Sequence, residues 1–200
     1  MVGLVVDAPP FPSRSTLQWV VESAAADEVV FGCQYRGPEE DAPALVEACN
    51  DPEIERWLPV IPSPYSEVDA QTYIDQSRES WEKGDSFNFA ILDAETGRLA
   101  GSISMRVKRF STGHIGYWVA REARGRGIAS EALRVLCRWA VEALEVQRLE
   151  LLTDVDNPRS QRVAEKAGFQ REGILRSSLE YRDGTRADSL MFSLLARELD

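Results

Sequence analysis

The feature that most restricts the fold is a basic glycine turn between a strand-like segment and a long amphipathic helix. The turn reads Arg124-Gly-Arg-Gly-Ile-Ala129. Before it, His114-Ile-Gly-Tyr-Trp-Val119 is rich in the aromatic and β-branched residues that favour strands. After it, apolar residues recur with the helical period of about 3.6, so that one face carries Ile128, Ala129, Ala132, Leu133, Leu136, Trp139, Ala140 and Leu144. The sequence therefore predicts a strand, a tight turn and a helix from Gly127 to Leu144.

The turn has the chemistry of an anion site. Two glycines let backbone N–H groups approach an anion closely, and the helix that follows adds the positive end of its dipole. Arg121, Arg124 and Arg126 are expected to reverse locally the negative charge of a chain whose net charge is -10. Glycine turns also cap helices that bind nothing, so the turn alone predicts a pyrophosphate site only weakly.

Composition limits the class of protein. A chain of 200 residues with 44% hydrophobic residues fits one globular domain. No apolar run reaches about 18 residues, and the N-terminus lacks a secretory signal, so we expect a cytoplasmic protein without a membrane span. The net charge disfavours nucleic acid as a partner and suits a cationic substrate. Cys33, Cys49 and Cys137, with His114 as the single histidine, do not form a zinc pattern; we expect reduced thiols and no metal.

A second motif follows at a fixed distance from the turn. Leu149-Glu-Leu-Leu-Thr153 reads as a strand and precedes Asn157-Pro-Arg-Ser-Gln-Arg-Val-Ala-Glu-Lys-Ala-Gly-Phe169. Together with Tyr-Trp-Val and Arg-x-x-Gly-x-Ala, this block resembles the GNAT N-acetyltransferase superfamily, and within it the Rim-type branch that acetylates N-terminal amines of ribosomal proteins. The resemblance covers about residues 29 to 195 and is strongest from Ile115 to Phe169.

The resemblance and the pattern together predict an α/β (α+β) fold. We expect one GNAT-like domain over residues 28–200, with a mostly antiparallel mixed sheet of about seven strands and helices on both faces. Residues 1–27 form an extension of unclear role, in which 16–26 reads as a short helix or a strand. The other elements are strands at 29–35, 87–92, 99–107, 174–181 and 187–195, helices at 38–49 and 67–83, and an aromatic, proline-rich loop at 53–65.

The resemblance implies acetyl-CoA as co-substrate, with the turn amides on its pyrophosphate. It also implies that the strand before the turn separates from its neighbour, so that the N–H of Val119 lies near the thioester oxygen. Asn157 caps a helix and reaches the pantetheine arm, and Ser160 lies near the sulfur. The cofactor-binding set is Val119, Ala120, Arg121, Arg124, Gly125, Arg126, Gly127, Ile128, Ala129, Asn157 and Ser160.

The catalytic residues are expected at the end of the penultimate strand. Glu180 would take the proton of the amine, directly or through water, and Tyr181 or Ser160 would protonate the leaving thiolate. Side chains of adjacent strand residues point to opposite faces, so at most one of Glu180 and Tyr181 faces the acceptor. Glu53, Glu55 and Asp156 are further candidates for the base, and Trp57, Pro59 and Tyr65 are expected to line the acceptor pocket.

The function indicated is acyl-CoA-dependent N-acyl transfer, most simply acetylation, by direct attack of an amine in a ternary complex. The acceptor is either a protein N-terminus or a small amine such as an antibiotic or polyamine. A wide, shallow acidic groove would favour the first, and a closed pocket the second. A noncatalytic sensor that binds acyl-CoA is the alternative from another class of protein. The sequence leaves open whether the chain forms a homodimer.

Overall fold

The structure, a computed structural model, describes residues 18–22, 29–33, 38–93, 96–109 and 111–199, with side chains from residue 41 onward. The described strands are β1 Gln18–Glu22, β2 Val29–Cys33, β3 Ser86–Asp93, β4 Leu99–Lys108, β5 Thr112–Val119, β6 Arg148–Asp154, β7 Gln170–Glu180 and β8 Arg186–Leu195. The helices are α1 Pro38–Cys49, α2 Pro52–Trp57, α3 Glu67–Lys83, α4 Ile128–Leu144 and α5 Pro158–Lys166, with short 3-10 turns at Arg121–Ala123 and Ala196–Glu198. The expectations for residues 1–17, 23–28, 34 and 35 lie outside the described residues.

The strands form one mixed sheet in the order β1-β2-β3-β4-β5-β6-β8-β7. Strands β5 and β6 pair in parallel, and the other described neighbours are antiparallel. The mostly antiparallel mixed sheet is thus confirmed, with eight described strands where about seven were expected. The segment that the sequence left as helix or strand contributes β1 at the edge of the sheet.

Helices cover both faces of the sheet, as predicted. Alternate residues of β3 show this, because successive side chains of a strand point to opposite faces. Phe87 and Phe89 pack edge-on against Trp139 of α4, with ring centroids 5.0 and 5.5 Å apart. Ala90 instead lies in a separate buried cluster with residues of α1 and α3. The larger core therefore lies between the sheet and α4, which buries the apolar face read from the sequence.

One expected loop contains a helix. Residues 53–65 were predicted as a proline-rich loop, but α2 occupies the beginning of that segment. Asp51 caps α2, since its Oδ1 accepts hydrogen bonds from the N–H groups of Glu53 at 3.1 Å and Ile54 at 3.2 Å. Pro52 stands at the first helical position, where its missing N–H costs nothing. The cap and this proline start a short helix. The sequence analysis missed it because the later prolines of the segment indicated a loop.

The structure describes the side chains of Cys49 and Cys137, and both are buried free thiols. Burial raises the pKa of the Cys49 thiol to about 12 and also raises the pKa of Cys137. Both are therefore protonated at neutral pH and have little nucleophilic character. His114, which was expected to begin a strand, lies inside β5, where burial lowers its pKa.

Glu172 provides a test of how the last hairpin is held. Its carboxylate accepts two hydrogen bonds from Arg148, at 2.8 and 2.6 Å, and one from the hydroxyl of Ser193 at 2.7 Å, which together lower its pKa to about 2. A lowered pKa in the folded state stabilises the fold above the ordinary value of 4.5 and loses that contribution as pH falls towards 2.

We expect Glu172→Gln to lower the free energy of unfolding by up to about 1 kcal/mol at pH 7, because the pair is largely exposed. The difference from wild type should shrink as pH falls from 5 to 2, as measured by urea unfolding at each pH. Glu142→Gln, an exposed change on α4, is the control, and its free energy of unfolding should equal that of wild type at each pH. A difference that persists unchanged at low pH would contradict the ion-pair explanation.

Candidate active site

The site begins where β5 and β6 separate. Their parallel register runs from Thr112 opposite Arg148 to Ile115 opposite Leu151 and ends there. Strand β5 continues to Val119 and β6 to Asp154, so the last part of each strand faces a gap rather than a partner. Backbone groups along a strand edge need hydrogen-bond partners, and an extended ligand chain can supply them.

The N–H of Val119 points into this gap. The next N–H, of Ala120, donates to the carbonyl of Ala100 across β4 at 2.9 Å. Since successive N–H groups of a strand alternate in direction, the N–H of Val119 faces away from β4. Opposite Val119, a side chain on Gly101 would come within 2.4 Å of the carbonyl oxygen of Trp118, so glycine permits the close approach of the two strands there. Gly101 was not singled out from the sequence.

The turn before α4 has the geometry of an anion cradle. Gly125 and Gly127 adopt φ values of +80° and +84°, which side chains other than glycine rarely tolerate. Gly127 caps α4, and no side chain accepts hydrogen bonds from the first turn of the helix. A Cβ built on either glycine meets nothing within 4 Å, so the turn has open space beside it. The first N–H groups of α4 have no acceptor within the helix. These residues fit a pyrophosphate.

The arginines of the turn supply less free positive charge than expected. Arg124 donates to Asp51 at 2.6 Å, to Glu53 at 2.9 Å and to the carbonyl of Val119 at 3.1 Å. Arg126 donates to Asp93 at 2.9 Å. The pKa of Asp93 is lowered to about 2, first by the hydrogen bonds from Thr96 and then by the one from Arg126. Arg124 and Arg126 are thus already paired with carboxylates, while Arg121 is exposed beside them. The contribution of the turn to anion binding comes first from its backbone.

Across the gap, α5 begins with the predicted cap. The side-chain oxygen of Asn157 accepts the N–H of Ser160 at 3.0 Å. The hydroxyl of Ser160 lies 2.9 Å from that of Tyr117 on β5, so a hydrogen bond joins the two sides of the gap. Burial raises the pKa of Tyr117 to about 12, which keeps it a neutral hydroxyl. Sequence reasoning placed Ser160 here and gave Tyr117 no role, although Tyr117 belongs to the motif itself.

An open cavity of about 560 Å³ adjoins the end of β6 and faces solvent. Its lining consists of Pro52, Glu55, Arg56, Trp57, Pro59, Asp154, Asp156, Tyr181, Arg182, Asp183 and Ala187. Four of these are acidic and two are arginines. Arg56 lies over the ring of Trp57, 4.5 Å from its centroid, and Arg182 donates to the carbonyls of Glu55 and Leu58 at 2.8 and 3.3 Å.

These features accompany a match of the chain to a known family. The acetyltransferase (GNAT) domain matches residues 35–170. The chain belongs to the GNAT family. It is 31% identical to the uncharacterized N-acetyltransferase p20 of Bacillus licheniformis, and the match covers 80% of this chain and 89% of p20. It is 34% identical to the protein named "Putative ribosomal N-acetyltransferase YdaF" of Bacillus subtilis strain 168, and the match covers 79% of this chain and 87% of that protein.

A solved structure agrees with these relatives. RimJ of Mycobacterium smegmatis, in complex with CoA-disulfide, has 25% identity to the chain and a TM-score of 0.79, covering 96% of this chain and 91% of its own. These similarities confirm the GNAT family and its Rim-type branch, and the chain is an acetyl-CoA-dependent N-acetyltransferase. Bound acetyl-CoA supplies the activated acetyl group, while the residues of the chain bind, orient and move protons.

The expected acceptor residues of this GNAT domain divide into two groups. Trp57, Pro59 and Tyr181 line the open cavity. Tyr65 does not, since it is 6% exposed and packs in the cluster between α1, α3 and the sheet. The structure thus corrects the placement of Tyr65, because the segment that was read as a loop turns back into the core after α2.

Glu180 also lies away from the cavity. Its carboxylate is exposed and accepts a hydrogen bond from Arg186 at 2.7 Å within the last hairpin. Tyr181 is the one of the two neighbours that faces the acceptor side, and its hydroxyl donates to Asp154. Asp154 was not selected from the sequence. The signal available was an acidic residue at the end of the strand that precedes the Asn157 block.

Two further observations concern metals and membranes. In residues 41–93, 96–109 and 111–199, no three His, Cys, Asp or Glu side chains form a group that could hold a metal ion. No helix among the described residues is long and apolar enough to span a membrane.

Proposed function

We propose that the acceptor is the α-amine at the N-terminus of a polypeptide, with ribosomal proteins as the substrate class. The observation that carries this proposal is the cavity at the end of β6, which is open to solvent and has four acidic residues and two arginines on its lining. An open cavity admits a chain end that continues outwards, whereas a small amine is better held in an enclosed pocket.

The ionisation of the acceptor supports the same choice. An α-amine has a pKa of about 7.7 to 8.0, whereas that of a lysine side chain is about 10.4. At neutral pH roughly a tenth of α-amines are already uncharged, so a modest proton acceptor suffices to free the lone pair. The acidic lining, with Glu55, Asp156 and Asp183 near the rim, favours the cationic form as it enters.

The similarity to YdaF, which carries a ribosomal N-acetyltransferase name, supports the substrate class. The exposed acidic surface also suits ribosomal proteins, which are commonly basic and would be attracted by a chain of net charge -10. The attraction should weaken with added salt, since the charges concerned are exposed.

The test is release of free thiol from acetyl-CoA with a panel of amines. The panel contains hexapeptides that begin with Ser, Ala, Thr, Met or Gly, the same peptides with a blocked N-terminus, spermidine and an aminoglycoside. We expect kcat/KM for at least one free peptide to exceed that for spermidine by about tenfold or more, a difference of about 1.4 kcal/mol in transition-state binding. Tandem mass spectrometry should locate the acetyl group on the α-nitrogen.

The controls separate the alternatives. A blocked peptide with an internal lysine should not react, and its acetylation would point to lysine side chains instead. Faster turnover of spermidine or the aminoglycoside would overturn the polypeptide proposal. Tight acetyl-CoA binding without turnover of any amine would favour a noncatalytic sensor.

A further inference from the structure

Asp154 is the last residue of β6 and lies at the wall of the acceptor cavity. It is 7% exposed, although it lies beyond the point where β6 leaves β5. One carboxylate oxygen, Oδ1, accepts the N–H of Asp156 at 2.6 Å. The other, Oδ2, accepts the hydroxyl proton of Tyr181. A buried carboxylate with both oxygens fixed in this way has a defined direction towards the cavity.

The hydrogen bond to Asp154 decides what Tyr181 can do. A phenol has one proton to donate, and that proton is directed to Asp154. The lone pairs of the phenol oxygen therefore remain for a group in the cavity, and they accept an N–H rather than donate to a thiolate. Burial first, and then Asp154, raise the pKa of Tyr181 to about 12, so the phenol keeps its proton at neutral pH.

The carboxylate first expected as the base has no comparable access. Glu180 is exposed and paired with Arg186, and it is absent from the lining of the cavity. Asp154 and Tyr181 lie on that lining and are already hydrogen-bonded to each other.

We propose that Asp154 is the group that receives the proton of the acceptor amine, and that the Tyr181 hydroxyl relays it. This inference rests on the proposed function, because it requires an amine acceptor in the cavity.

The transfer balances as follows. The ammonium gives a proton to the Tyr181 oxygen while the phenol proton passes to Asp154, so Tyr181 ends neutral and Asp154 protonated. The freed nitrogen lone pair forms the C–N bond, and the C–S bond of acetyl-CoA breaks. A second proton leaves the nitrogen and ends on the thiol, and Asp154 returns its proton to solvent.

The charged groups around the pair favour the approach of an ammonium to Tyr181. Asp156 and Asp183 lie on the loop after β6 and on the hairpin turn, and Glu55 faces them from α2. The cations on the same lining are Arg56, stacked over Trp57, and Arg182, bonded to backbone carbonyls. The acidic groups thus attract an ammonium to Tyr181, while neither arginine pairs with Asp154.

The experiment compares Asp154→Asn, Tyr181→Phe, their double variant and Glu180→Gln with wild type, using a seryl hexapeptide and spermidine as acceptors. For the acceptor that wild type uses best, we expect each single change at Asp154 or Tyr181 to lower kcat/KM at pH 7 by about 100-fold, the usual range for a lost proton acceptor. The double variant should be no worse than either, because a relay fails at its first missing member. The dissociation constant for coenzyme A should stay within about twofold in all variants.

The pH profile distinguishes proton transfer from a structural role. Between pH 7 and 9 the uncharged fraction of an α-amine rises by about six- to tenfold, so the deficit of both variants should shrink by about the same factor. A deficit that is constant with pH would overturn the relay and leave Asp154 as a packing residue. Should Asp154→Asn fold poorly, as judged by its thermal midpoint, Tyr181→Phe carries the same comparison.

Glu180→Gln tests the alternative proton acceptor, Glu180. A loss of about 100-fold in Glu180→Gln, with Asp154→Asn near wild type, would overturn the inference and return the role to Glu180. Preference of wild type for spermidine would overturn the polypeptide acceptor only. The variants are then compared on spermidine, and the deficit is followed up to about pH 10.4, where an alkyl amine of the lysine type loses its proton. A wild type that turns over neither amine would overturn both the acceptor and the relay.

Discussion

Gly127→Glu is expected to raise the dissociation constant for coenzyme A by more than about 100-fold. Gly127 caps α4 at a φ of +84°, and its missing Cβ faces open space where the pyrophosphate is expected. A glutamate there places a carboxylate against a doubly charged group and obstructs the N–H groups of Ile128 and Ala129. Two lost N–H contacts to a charged phosphate, at about 1.5 to 3 kcal/mol each, account for the predicted loss. Isothermal titration calorimetry with coenzyme A measures it.

Gly184→Glu is the matched control for this change. Gly184 has a φ of +81° and also has nothing within 4 Å of an added Cβ, so the backbone strain and the new charge are comparable. It lies in the turn between β7 and β8, away from the turn before α4. Gly184→Glu should bind coenzyme A like wild type. Equal loss in both variants, or unchanged affinity in a folded Gly127→Glu, would remove the turn from the cofactor site.

The sequence predicted the glycine turn, α4 and the start of α5 well because their signals are local. The glycines at 125 and 127, the apolar face of α4 and the Asn157 cap each depend on residues a few positions apart, and each lies where expected. The pairing of Arg124 with Asp51 and Glu53 joins residues more than 70 positions apart. No local sequence pattern predicts such a contact, so the sequence analysis overestimated the free positive charge of the turn.

The acceptor side was harder to predict for a similar reason. Strand alternation correctly separated Glu180 from Tyr181, but it does not say which of them faces the cavity. That choice depends on the register of β7 against β8, which shifts by one residue between Arg171 and Gly173 and shifts again between Leu175 and Leu179. A shift of one residue moves a side chain to the other face of a sheet. Tyr65 was misplaced because the formation of α2 changes the course of the chain after it.

Arg124→Ala should weaken both the fold and the cofactor site. The guanidinium is the shared partner of Asp51 and Glu53, whose side chains are 10% and 36% exposed. Partial burial opposes ionisation of Asp51, but the hydrogen bonds from Arg124 and from the N–H of Ile54 outweigh it and lower its pKa. Removing Arg124 leaves two adjacent carboxylates at the start of α2, beside the expected pyrophosphate. We expect a loss of about 2 kcal/mol in the free energy of unfolding, less than for a fully buried pair.

The same change should reduce coenzyme A affinity by about tenfold, since about 1.4 kcal/mol of added repulsion corresponds to that factor. Without Arg124, Glu53 keeps only its hydrogen bond from Arg159, at 2.6 Å. Adding Glu53→Gln to Arg124→Ala removes one of the two negative charges and should restore part of the affinity, whereas a direct phosphate contact by Arg124 would show no such rescue. Arg109→Ala, at an exposed arginine just after β4 and outside the turn, is the control for net charge. The stability loss should shrink below pH 3.8, where Asp51 gains a proton in the unfolded chain and the contribution of its lowered pKa disappears. Rescue of affinity by Glu53→Gln therefore separates a neutralising role of Arg124, which couples α2 to the turn, from a role as a phosphate ligand.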